Sequence, residues 1–166
     1  KANYQEVLGA TQEAVDTAYD RLTLHTDLAE AVQDVDLVIE AVPEILDIKK
    51  VFYENLSKVA PQKTIFASNS STMIPSQLVE FTGRPEKFLH LHFANRIWLN
   101  NTAEIMKHEG TDTKVFEEVI EFAKAINMIA LPIHKEQPGY ILNSLLVPFL
   151  DAAQNLVANG IADPET

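Results

Sequence analysis

The sequence predicts an α/β domain, an incomplete, mostly parallel sheet with flanking helices, followed by the first long helix of an all-helical unit. Three observations predict it. Short aliphatic runs alternate with stretches of helical periodicity between residues 22 and 134, the pattern of strand-helix-strand units. Several of these runs release into polar residues at their carboxyl ends, where an open α/β sheet places its ligands. After Gly139 one long apolar segment, 140–160, takes over and ends at Gly160 in the manner of a helix C-cap. A linker at 135–139 therefore separates a unit at 1–135 from the start of another at 136–166.

Each element follows from local pattern. Val7, Leu8, Ala14, Val15, Ala18 and Leu22 recur at helical spacing, with Gly9 as a break and Thr11 as an N-cap, so one or two helices come first. LTLHT (22–26) alternates as a strand does, and Asp27 caps a short helix over 27–34. VDLVIEAVP (35–43) is almost continuously aliphatic, which predicts a buried parallel strand ending near Pro43. Ile45, Ile48, Phe52, Leu56 and Val59 form one face of a helix over 45–60, and KTIFASNSST (63–72) is a strand opening into a polar loop. Proline starts a helix at 75–81, residues 84–86 turn, and KFLHLHF (87–93) is the next strand. Strands at 102–107 and 128–134 flank a helix over 111–126 that Thr111 or Asp112 caps.

Composition narrows the function. Acidic residues number 24 against 13 basic ones, a formal charge of -11, which disfavours nucleic acid and anionic membranes as partners. No apolar run approaches the roughly 20 residues of a membrane helix. With no cysteine, thiolate zinc sites, disulfides and a cysteine nucleophile are excluded, and a reducing cytoplasm is the expected location. The five glycines are scattered at 9, 83, 110, 139 and 160, so the chain holds no glycine-rich loop able to cradle a phosphate.

Three constellations carry candidate chemistry. In LHLHFAN (89–95), His90 and His92 share one face of a strand while Leu89, Leu91 and Phe93 share the other. The pair could chelate a metal, but Glu104, His25, His108 and His134 offer a third ligand without diagnostic spacing; two histidines satisfied by hydrogen bonds at a sheet edge is the alternative. FASNSST (66–72) sets hydroxyls and amides at a strand's end, either for a substrate or as a helix cap. EAVPE (40–44) sets Glu44 at another strand end, facing a ligand or a helix dipole.

Taken together, DLVIEAVPEILDIKK, TIFASNSST, LHFAN followed by AEIM, and PGYILNSLLVPFLDAA resemble, in order and spacing, the 3-hydroxyacyl-CoA dehydrogenase family, including its short-chain 3-hydroxybutyryl-CoA members. The likeness spans residues 22 to 166. It implies a Rossmann-like NAD domain followed by a helical domain that mediates dimerisation, with NAD as cofactor, a 3-hydroxyacyl-CoA substrate and a place in fatty-acid β-oxidation. It implies further that His92 is the catalytic histidine and Glu104 its carboxylate, and that Ser71 and Asn143 bind the substrate oxygen. Glu44, Lys49 and Asn95, with Ser71, fall where relatives touch NAD; no metal is implied. A dehydrogenase for another 3-hydroxy acid or alcohol, or a non-catalytic relative, is the alternative.

The chemistry suits these residue types. A secondary alcohol must lose its hydroxyl proton as hydride leaves, and imidazole, which titrates near neutrality, is the base for that. Two departures stand out: Arg96 follows Asn95 where relatives carry proline, and His90 occupies a usually small position. The family's first strand, its glycine loop and the acidic residue that grips the adenosine ribose would precede Lys1, so the chain reads as an internal fragment that binds NAD weakly or not at all and does not turn over usefully. A micromolar dissociation constant in an equilibrium titration of these 166 residues would overturn that expectation. The apolar 140–157 segment is expected to drive self-association.

Overall fold

The computed structural model describes residues 2–166; Lys1, with which the 1–135 unit begins, lies outside them. Two short helices, α1 (Ala2–Leu8) and α2 (Gln12–Asp20), open the chain, and Thr11 caps α2 by accepting from the N–H of Ala14. Helix α3 (Leu28–Val32) is capped by Asp27 as predicted. There follow β1 (Leu37–Glu40), α4 (Leu46–Val59), β2 (Ile65–Ser68), β3 (Phe88–Phe93), β4 (Thr102–Met106), α5 (Thr113–Ala125), β5 (Ile129–Ile133) and α6 (Leu142–Ala158).

Among the described residues the strands form one sheet in the order β1-β2-β3-β4-β5. The pairs β1–β2, β2–β3 and β4–β5 are parallel, and β3–β4 is antiparallel. The mostly parallel sheet is thus present, with its reversal at β3–β4. That reversal sets His92 directly opposite Glu104.

Strand alternation sorts the side chains. Leu89, Leu91, Ala103 and Ile105 point to one face and pack on Val115, Phe116, Val119 and Ala123 of α5. Burying each leucine fully contributes roughly 1.5–3 kcal/mol. On the opposite face Phe66 and Phe88 pack on Tyr53 and Leu56 of α4, and the same face carries His90, His92 and Glu104. The histidine pair therefore sits on the central strand, not at an edge.

Three segments differ from expectation. Residues 22–26 form no strand, and Leu24 is 91% exposed: an extended segment becomes a strand only with a ladder partner, and none of the described residues supplies one. The strand expected over 35–43 is confined to Leu37–Glu40, because the Glu40 carboxylate takes the N–H of Val42 and the chain turns through Pro43. Residues 75–81 form two 3-10 turns, Pro75–Gln77 and Val79–Phe81, in place of a helix. The chain closes three-residue bonds there, from the N–H of Leu78 to the carbonyl of Pro75 and from that of Thr82 to Val79, and Gly83 at φ +65° ends the segment.

Candidate active site

The site gathers at the carboxyl ends of β1, β2 and β3. The loop after β2 is sewn to both neighbours by Asn69, whose N–H donates to the carbonyl of Glu40 and whose Oδ1 accepts from the N–H of Phe93. This brings the serines that follow beside the end of β3.

His92 is 8% exposed and held on both nitrogens. Its Nδ1 lies 3.0 Å from Glu104 Oε2 and its Nε2 lies 3.1 Å from Ser71 Oγ. Glu104 is 1% exposed, and its other oxygen accepts the N–H groups of Ile141 and Leu142 at 2.8 and 2.9 Å. Burial alone would push this carboxyl up, but His92 and the two amides outweigh it and hold the group below the ordinary carboxylate value. An ionised Glu104 only accepts, so Nδ1 carries the ring proton and Nε2 presents its lone pair to the Ser71 hydroxyl. The arrangement is a base aimed outward, oriented by a buried carboxylate.

Behind the serines lies a buried ionic network. Lys49 is 1% exposed, and its ammonium sits 2.7 Å from Glu40 and 3.1 Å from Glu44. Glu40 also accepts from Ser68 at 2.7 Å. Glu44 accepts from the Ser70 hydroxyl and, at 2.8 and 3.1 Å, from the hydroxyl and N–H of Thr72. Burial raises the Glu44 carboxyl, but the Ser70 and Thr72 hydroxyls, the Thr72 amide and Lys49 together bring it down to about 2. Glu44 thus presents a fixed negative charge, and Lys49 holds it from beneath.

The remaining candidates lie on loops or at a helix start. Asn95 is exposed, in the β3–β4 loop, with its carbonyl accepting from the Asn100 amide, and Arg96 beside it adopts φ +57°. Asn143 stands on the first turn of α6, directly after the two amides that cap Glu104, and its side chain makes no hydrogen bond among the described residues. The chain thus brings Ser71, His92 and Glu104 into contact and sets Glu44 and Lys49 behind them.

His90 is fully buried and makes a different contact, its Nδ1 lying 2.8 Å from the hydroxyl of Tyr140. Among the described residues His90 Nε2 has no hydrogen-bond partner. Burial, then the nearby Lys49 charge, pushes its pKa down to about 3. The folded ring therefore stays neutral while the unfolded one takes a proton below about 6.5. Stability is fully present above pH 6.5 and falls as the pH drops toward 3, by about 1.4 kcal/mol per unit. His90→Asn should flatten the stability profile between pH 6.5 and 5, above the range where ordinary carboxylates titrate; urea melts across that window check it, and an unchanged slope would remove His90 as the cause.

Residues 2–137 match the family model described as the 3-hydroxyacyl-CoA dehydrogenase NAD binding domain. The chain belongs to the 3-hydroxyacyl-CoA dehydrogenase family. It is 36% identical over 165 residues to the human mitochondrial hydroxyacyl-coenzyme A dehydrogenase, matching 99% of this chain and 52% of that protein. It is 32% identical over 136 residues to a 3-hydroxybutyryl-CoA dehydrogenase of Clostridioides difficile, matching 82% of this chain and 48% of the relative. The chain spans about half the length of the curated relatives it matches. A solved structure of a diketoreductase, described as acting by dual catalysis on dicarbonyl compounds, superposes with a TM-score of 0.94 at 55% identity, covering 99% of this chain and 58% of that one.

The family's cofactor, NAD, fits the residues at these strand ends. Glu44 is a fixed acceptor suited to ribose hydroxyls, and Ser71 and Asn95 add an exposed hydroxyl and amide. The glycine-poor sequence holds no matching pyrophosphate cradle.

Sequence reasoning singled out the FASNSST and EAVPE runs but missed Glu40, Asn69, Ser70 and Tyr140 as individuals. Glu40 had a signal: a carboxylate inside an aliphatic run must be paired if buried, and Lys49 lies nine residues on. Tyr140 had none, because its burial is decided by the sheet it folds against.

Proposed function

We propose that this chain carries the chemical centre for NAD-dependent oxidation of a 3-hydroxyacyl-CoA to the 3-oxoacyl-CoA, or the reverse reduction. The observation that carries it is His92 held between Glu104 at 3.0 Å and Ser71 at 3.1 Å. The Nε2 lone pair takes the substrate hydroxyl proton, and Glu104 stabilises the imidazolium that forms. Ser71 and Asn143 donate to the substrate oxygen as its charge changes. When bound, NAD would supply the hydride acceptor; Glu44, Ser71 and Asn95 would hold it, with Lys49 fixing Glu44. In reduction His92 returns the proton as an acid.

The helix α6 leaves Leu145, Val147 and Phe149 exposed, Phe149 to 70%, which supports a homodimer formed through the helical region. Reduction of acetoacetyl-CoA by the full-length protein, followed as loss of NADH absorbance, tests the reaction. The expected result is saturable turnover dependent on the thioester. Turnover of a free 3-oxo acid or a diketone with none of the thioester would move the assignment to the second reading, a dehydrogenase for another 3-hydroxy acid or alcohol. The 55% identity to the diketoreductase and the Arg96 loop beside the site favour that second reading.

A further inference from the structure

Tyr140 alone among residues 134–141 is buried, and it packs against the candidate base. Its ring lies over the His92 imidazole, with centroids 4.6 Å apart and planes tilted by 31°. Its hydroxyl donates to the carbonyl of Ser70 at 2.5 Å. That peptide leads into Ser71, whose Oγ meets His92 Nε2, and the Ser70 side chain binds Glu44. The residue after Tyr140 supplies an N–H to Glu104. Tyr140 reaches this place by adopting φ +56°, following Gly139 at φ +81°.

The direction of the hydrogen bonds is determined. A carbonyl only accepts, so the Tyr140 proton goes to Ser70 and its oxygen must accept from His90. His90 Nδ1 therefore carries the ring proton, which leaves Nε2 bare, in agreement with its lack of a partner among the described residues. A leucine or phenylalanine at position 90 would fill the core with no orphaned nitrogen. What the histidine provides instead is one donor, aimed at Tyr140.

We propose that Tyr140, oriented by His90, is a positioning residue for the reaction at His92: it locks the Ser70–Ser71 peptide, the imidazole ring and the Glu104 cap into one arrangement. This rests on His92 being the base. Proton transfer is sensitive to displacements on the order of 1 Å, and a shift of the Ser70–Ser71 peptide moves the Ser71 hydroxyl away from Nε2. The titratable and charged groups around His92 are Glu104 on β4, Tyr140 ahead of α6, His90 on its own strand, and Glu44, Lys49 and Glu40 behind Ser70.

The test uses the full-length protein with acetoacetyl-CoA and NADH. Tyr140→Phe keeps the ring and removes the lock. It should lower kcat about tenfold and leave KM for NADH unchanged. His90→Ala should do the same, and the double variant should be no slower than either single one, because the two side chains act as a unit. Nitrogen NMR should show His90 as the Nδ1–H tautomer. A folded Tyr140→Phe protein with the parent's kcat, additive effects, or an Nε2–H tautomer would overturn the proposal. Unchanged turnover in His92→Ala would instead sink the base assignment, and the tautomer measurement would still report on the His90–Tyr140 chain.

Discussion

His92→Ala should lower turnover of the full-length protein by about 10²–10⁴-fold, the usual contribution of a positioned general base, while cofactor binding stays largely intact. The ring contacts Glu104, Ser71 and Tyr140, while Glu44, the residue suited to the ribose, is held by Ser70, Thr72 and Lys49. The loss should therefore appear in kcat and kcat/KM together, with the dissociation constant for NAD little changed. Steady-state kinetics alongside a cofactor titration checks it. Turnover equal to the parent's would remove His92 from the mechanism.

Glu104→Gln damages both chemistry and fold. Glutamine cannot accept from His92 Nδ1 on one side and from the Ile141 and Leu142 amides on the other without turning an N–H donor toward one of them. If the amide group faces Nδ1, the ring must change tautomer and Nε2 is no longer a free base, so turnover should fall by about 10²-fold or more. If it faces the backbone, the start of α6 loses its anchor. The buried position leaves little room for water to compensate, so unfolding free energy should drop by roughly 1–3 kcal/mol, the cost of a buried donor left without its acceptor. Denaturant melts and kinetics on the same preparation separate the two effects. A variant with normal turnover and normal stability would show that the carboxylate neither orients His92 nor holds α6.

Much of the fold was legible because periodicity is a local property. The helices at 46–59 and 113–125 and the strands at 65–68, 88–93, 102–106 and 129–133 fell where spacing placed them. At 22–26 alternation shows only that a strand is possible, whereas forming one needs a hydrogen-bond partner. At 75–81 the proline start marks a helical turn but does not fix whether the chain continues as an α-helix or closes as 3-10 turns. Among the candidate site residues, Ser71, His92 and Glu104 are legible in the sequence only through four motifs in register; the local pattern does not tell a chelating pair from a core pair.

The sequence by itself determined the alternation of elements, the acidic surface, the absence of a glycine-rich cradle and the residue types available for proton transfer, since all of these are written in composition and local spacing. Tertiary structure decided which histidine does what. His90 and His92 share a strand face and differ by one turn of the pleat, yet the antiparallel β3–β4 register sets one opposite Glu104 and the other opposite Met106. Tyr140, brought in from fifty residues away, then gives His90 a hydrogen-bond acceptor and His92 a wall. These contacts depend on which strands pair and in which direction, and that is settled by burial summed over the whole sheet rather than by any stretch of neighbouring residues.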